Sequence, residues 1–173
     1  MRILVASFVT AIALFFFGFL WWGMLMPIIE PTTVISDQAL IDSMSSSLNE
    51  SAVYFYPDPA TEPGESTGPM AILYFNTDMP DMGKMLGMGF GHMFITALLV
   101  TAFVSSQKLP TFAARFGVVF FVGLLIAVWA DVGNMIWWRY PPGWTAFHFG
   151  YDVLSWLLAG VIIAAIIKPS PAG

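Results

Sequence analysis

Cysteine is absent from this chain. No disulfide, thiolate ligand or cysteine nucleophile is therefore available to it. Charge is scarce too. Only 10% of the 173 residues are Asp, Glu, Lys or Arg, where a soluble domain carries about 25%. Histidine occurs twice, as His92 and His148. The sequence contains no nucleotide-binding glycine loop, no internal repeat and no recognisable catalytic motif. The net charge of −5 argues against a nucleic-acid partner. A non-catalytic role is the expectation these absences leave.

What the chain does have is apolar length. It is 58% hydrophobic, with a mean hydropathy of +0.78. Four stretches, Ile3–Met26, Met85–Val104, Phe116–Trp138 and Trp144–Ile167, reach the roughly 20 residues needed to cross hydrocarbon. A backbone in lipid must satisfy its own polar groups, so these stretches read as helices. The first exceeds the roughly 7–15 apolar residues of a signal peptide and ends in bulky Trp21-Trp22, so it reads as an uncleaved helix. The expected fold is all-α and membrane-embedded: a four-transmembrane-helix bundle with a small external α/β hairpin subdomain between helices 1 and 2. Residues 1–26 form the first helix, 27–84 the external subdomain, and 85–173 the three helices that complete the bundle.

Orientation follows from the basic residues. Arg2, Lys108, Arg115 and Lys168 fall on one side, and Lys84 and Arg139 on the other. The excess places both termini and the 105–115 loop in the cytoplasm, and 27–84 outside, as for a bacterial inner-membrane protein. Trp21, Trp22, Trp137, Trp138 and Trp144 cluster at the external helix ends as an aromatic belt. Arg139 reads as an interfacial anchor beside them. In the external segment, Ser36 is placed to cap a short helix bearing Leu40, Ile41, Met44 and Leu48 on one face. Two strand-like runs, 52–56 and 70–75, predict a β-hairpin with a long Pro/Gly-rich tip between Pro57 and Pro69. An isolated hairpin is marginal in water, so this one should lean on something else.

The polar residues inside the spans are the candidate site. His92, Asp131, Asn134, His148 and Asp152 are costly in hydrocarbon unless they meet one another or a ligand. In the third span Ala127, Asp131, Asn134 and Trp138 share a helical stripe, as do His148, Asp152, Ser155 and Ala159 in the fourth. At about 1.5 Å per residue, His92, Asp131 and Asp152 all lie roughly 10–12 Å below the external boundary. The expected arrangement is a buried hydrogen-bond network joining them. The alternative is a metal or haem site using His92, His148, Asp131 and Asp152. A further one is copper held by Met85, Met88 and His92, a soft thioether and imidazole set. Methionine as a core filler is the plainer reading of Met85 and Met88. A cofactor is thus undetermined from sequence, with none as the first expectation.

Gly83, Gly87 and Gly91 recur every four residues and share one helix face, which lets two helix backbones approach closely. Packing within the chain's own bundle is the expectation, and packing against another subunit the sharper reading. Three pieces of the chain suggest a resemblance: the Trp-rich end of the first helix, the Val53-Tyr54-Phe55-Tyr56-Pro57 and Gly68-Pro69-Met70-Ala71 runs, and the final Asp152-x-x-Ser155-Trp156-x-x-Ala159-Gly160 helix. In these it resembles a group of small uncharacterised four-helix integral membrane proteins of bacteria. The resemblance implies four helices and an external hairpin, and it implies no activity. The functional expectation is an accessory or structural subunit of a larger membrane complex. Its partners would be the lipid bilayer and other membrane subunits or further copies of itself.

Overall fold

The computed structural model describes residues 1–58 and 69–168. Four helices are long and apolar enough to cross a membrane: Arg2–Ile29, Met82–Ser106, Phe112–Trp137 and Pro142–Ile166. Two of the four are not uniform. The first comprises α1 (Arg2–Gly18), a π-helical stretch Phe19–Leu25, and α2 (Met26–Ile29). Pro27 supplies the physical reason: its ring cannot donate a hydrogen bond and crowds the carbonyl four residues back, at Gly23. The third span comprises α5 (Phe112–Ala127), a π-helical turn Val128–Val132, and α6 (Gly133–Trp137). The other two, α4 (Met82–Ser106) and α7 (Pro142–Ile166), run unbroken. Thr111 caps α5 by accepting from the Ala114 amide, and Pro142 opens α7 where no amide proton is needed.

The chain divides into two compact units, Met1–Thr33 with Gly83–Gly173, and Val34–Met82. In the helical unit α7 is the hub, packed on α5 on one side and α1 on the other. The face α1 turns inward is built of small residues, Ala6, Ser7, Thr10, Ala11 and Gly18. Small residues let α1 and α7 approach closely. The α5–α7 contact is a reciprocal fit of large into small. A Cβ at Gly123 would overlap the Trp156 ring, and one at Gly160 would come within 3.0 Å of Phe116. Ala6, Val104, Val119, Ala159 and Ile163 form the core at the end of the bundle that holds the chain's N-terminus, here called proximal. Helix α4 meets α1 differently, through edge-on rings: Phe90 lies 6.0 Å from Phe8 and 5.8 Å from Phe15. These rings hold α4 away from α1.

The second unit carries α3 (Gln38–Ser47) and an antiparallel pair, β1 (Ala52–Tyr56) and β2 (Ala71–Phe75), in register from Ala52 opposite Phe75 to Tyr56 opposite Ala71. The cap of α3 is Asp37, not Ser36: its carboxylate accepts from the Ala39 and Leu40 amides. Either residue type serves at an N-cap, and the chain turns helical one residue later than expected. Leu48 ends α3 rather than joining its face. Most of the hairpin tip, like the tail after Lys168, lies outside the described residues. No described residue of this unit is buried.

Candidate functional site

The half of the bundle away from the proximal end, its distal half, concentrates the polar and aromatic residues. Both π-helical stretches lie there and flank α7. A π turn carries an extra residue and occurs often at functional sites. On the α1 flank, Phe17, Trp21 and Trp22 pack against Phe147, His148 and Tyr151. Tyr151 stacks on Phe17 at 5.7 Å, and its hydroxyl points at Gly18, where a Cβ would sit only 3.1 Å away. His148 meets the rings of Trp22 at 4.8 Å and Trp144 at 4.2 Å, both edge-on. Its Nε2 is buried without a hydrogen-bond partner. Of the expected belt, Trp21, Trp22 and Trp144 thus form one packed cluster, whereas Trp137 and Trp138 are exposed.

On the other flank stands Asp131. The π turn Val128–Val132 holds it inward, 7% exposed, close enough to Asp152 of α7 for the two charges to interact. Asp131 Oδ2 has no hydrogen-bond partner. Asn134 does not continue the stripe that Ala127 and Asp131 begin. One extra residue rotates everything after it by about 100°, which leaves Asn134 half-buried and Trp138 exposed. The Asn134 backbone carbonyl instead accepts from the Trp138 and Tyr140 amides, closing the helix end.

The structure therefore turns Asp131 inward on the α7 side, within charge–charge range of Asp152, and forms no wider cluster of the candidates among the described residues. His148 faces the tryptophans, and His92 is exposed on α4. No hydrogen bond joins any two of His92, Asp131, Asn134, His148 and Asp152 among the described residues, so the expected direct network is not formed. Nor do three or more His, Asp or Glu side chains gather around a common point there, which is what a His/Asp metal site requires. The reason is geometric. His148 and Asp152 differ by four positions on α7, but their neighbours come from opposite flanks. Met85, Met88 and His92 do share a face of α4, and that face is exposed along its length.

The glycine expectation is corrected as well. A Cβ at Gly87 or Gly91 would meet nothing within 4 Å, and Gly83 is exposed. The bundle's own helices do not cover this face. Its close approaches use Gly18, Gly123, Gly150 and Gly160 instead. Two further features escaped the sequence reading. Arg115 is buried, 6% exposed, at the proximal end. Its Nε donates to the Ala164 carbonyl at 3.2 Å and its Nη1 to the Leu109 carbonyl at 3.0 Å. The cation thus closes the C-terminal end of α7, where the helix dipole favours it.

The second feature is a cavity of about 120 Å³ between α1, α4 and α7. Its walls are mostly apolar, with Thr10, His92, Thr96, Tyr151 and Ser155 among the lining residues. The Tyr151 hydroxyl lies near Ser155 Oγ but outside hydrogen-bond geometry. The only sequence signal for this cavity was the ring pattern on α1 and α4, which reads equally as packing.

Fold and site together define a helical protein with four helices of membrane-crossing length; its distal half carries an inward Asp131 and a histidine between two tryptophans, and a cavity lies nearer the middle of the bundle, reaching Ala159 and Ile163 of the core. No protein-family model matches the chain, and neither a curated protein nor a solved structure matches it.

Proposed function

We propose that the chain is a non-catalytic subunit of a larger membrane assembly. It would sit in a bacterial inner membrane with both termini cytoplasmic and the Val34–Met82 unit outside. The four-to-two split of basic residues supports that orientation. The observation that carries the subunit reading is the open glycine face of α4. Each glycine costs a helix about 1 kcal/mol relative to alanine. Elsewhere in this bundle glycines offset that cost by admitting a neighbouring ring, as Gly123 admits Trp156. On α4 no described residue fills that space, and a helix from a partner subunit or a second copy supplies the neighbour. The second unit points the same way. It exposes Val53, Phe55, Tyr56 and Tyr74 on a two-stranded sheet with no buried residue among those described. Two strands need a packed face to be stable.

The absence of cysteine makes the test clean. Gly87→Cys, oxidised in native membranes, should trap a covalent dimer or be modified slowly by a bilayer-soluble maleimide because a partner covers it. Gly87→Leu should reduce the native mass of the solubilised complex. Rapid modification of the cysteine, with a native mass equal to one 19.0 kDa chain for both wild type and Gly87→Leu, would sink the proposal.

A further inference from the structure

The cavity between α1, α4 and α7 has properties that go together. At about 120 Å³ it is somewhat smaller than the apolar cavity of about 150 Å³ that accommodates benzene, so one small unsubstituted ring fills it and its open side takes the rest of a ligand. Two hydroxyls on its walls, Thr10 Oγ1 and Ser155 Oγ, are buried and have no hydrogen-bond partner. Thr10 is 0% exposed and Ser155 9%. A helical serine or threonine ordinarily donates back to the carbonyl four residues earlier, as Ser7 Oγ does to Ile3 O at 2.8 Å on the same α1. Thr10 does not, so it holds a donor in reserve at the cost of an unmade bond, and Ser155, with the Tyr151 hydroxyl beside it, likewise makes no bond back to its own helix.

No Lys, Arg, Asp or Glu is among the described residues that line the cavity, so these walls offer nothing to a charged ligand and would penalise one. His92 both lines the cavity and is exposed on the outer side of α4. The opening therefore faces the surroundings of the bundle, which for a membrane-spanning helix means the lipid. We infer that this cavity binds a neutral, membrane-dissolved carbonyl compound with a ring-sized head, the chemistry of a quinone. The ring lies among apolar side chains, Thr10 and Ser155 donate to its carbonyl oxygens, and an apolar tail leaves past His92 into the bilayer. Only binding is assigned; no electron transfer is invoked. The site is separate from the glycine face of α4, so its failure leaves the subunit reading standing, and the reverse.

An ester carbonyl of an acyl lipid offers similar acceptor chemistry without the ring, and the experiment separates the two. The purified protein in phosphatidylcholine nanodiscs is titrated with a decyl-tailed benzoquinone bearing no other ring substituent while tryptophan emission is followed, Trp156 being part of the cavity wall. Saturable quenching is expected. The double variant Thr10→Val/Ser155→Ala should weaken it about tenfold, the loss of two modest hydrogen bonds. Ala97→Phe, which fills the cavity, should abolish it. Should Ala97→Phe fail to fold, an azido-quinone photolabel on the wild-type protein decides. Label on His92–Ala97 or Ser155–Ala159 supports the site, and label elsewhere overturns it. Absence of saturation overturns it too. So does quenching that the double variant leaves unchanged, because the occupant is then an acyl chain or unspecific partition.

Discussion

Helices α4 and α7 have the same length and comparable apolarity, yet they are used in opposite ways. Each is 25 residues long and apolar enough to cross a membrane. Each carries glycines, more of them on α4. On α7, Gly160 receives Phe116, Gly150 lies against Trp21, and Trp156 fills the space left at Gly123 of α5. On α4, Gly87, Gly89 and Gly91 receive nothing. The difference teaches that glycine spacing indicates where two backbones are able to meet, not that they do. Contact requires a complementary ring at the right height on another helix. The rings facing α4 from α1 are Phe8 and Phe15, and they meet a third ring, Phe90, rather than a glycine. Ring against ring sets a spacing; ring against glycine closes it.

Substitution at the α5–α7 contact would break this contrast most severely. Gly123→Leu places a branched side chain where the Trp156 ring already sits. It should cost about 3 kcal/mol, as overpacking of a closed contact does, read as a lowered unfolding midpoint in detergent and SDS mixtures. An unchanged midpoint would mean that α5 and α7 are held by something else. Arg115→Ala comes next. It removes both donors from the Ala164 and Leu109 carbonyls and should cost about 2 kcal/mol, in the range for hydrogen bonds to a charged group. Arg115→Lys should recover part of that loss. Hydrogen exchange localised to the last turn of α7 would sharpen the point, because only that turn should loosen. The smallest effect belongs to α4. Gly87→Leu should leave the stability of the isolated chain unchanged, or raise it by less than about 1 kcal/mol, since leucine favours the helix and meets no neighbour. Marked destabilisation of the isolated chain would erase the contrast between the two helices.

Much of the architecture was open to reading because it depends on composition. Four apolar stretches predict four helices, and two strand-like runs joined by a Pro/Gly-rich connection predict the paired strands. The inward placement of Asp131 also agrees with the cost of a carboxylate facing lipid. What stayed hidden depends on phase and complementarity. A periodicity of 3.6 carries Asn134 onto the Asp131 stripe, but the π turn at Val128–Val132 shifts the phase, and no proline marks the spot. In the first span Pro27 does mark it. Arg115 reads as a loop charge from its position in the chain, and its burial is set by where α7 ends in space. His92 seemed inward because histidine in lipid is costly. It is instead a rim residue of the cavity between α1, α4 and α7.

The reciprocal fit between α5 and α7 has a mechanical consequence. One peg in one hole leaves a joint free to swivel. Here there are two, Phe116 at Gly160 and Trp156 at Gly123, seated in opposite senses about 10 Å apart along α5. Neither helix is able to rotate or slide without unseating both pegs at once. The pair behaves as a fixed door-post. Helix α4 has no such peg: it meets α1 ring against ring and is buried only at Ala97, Thr101 and Val104.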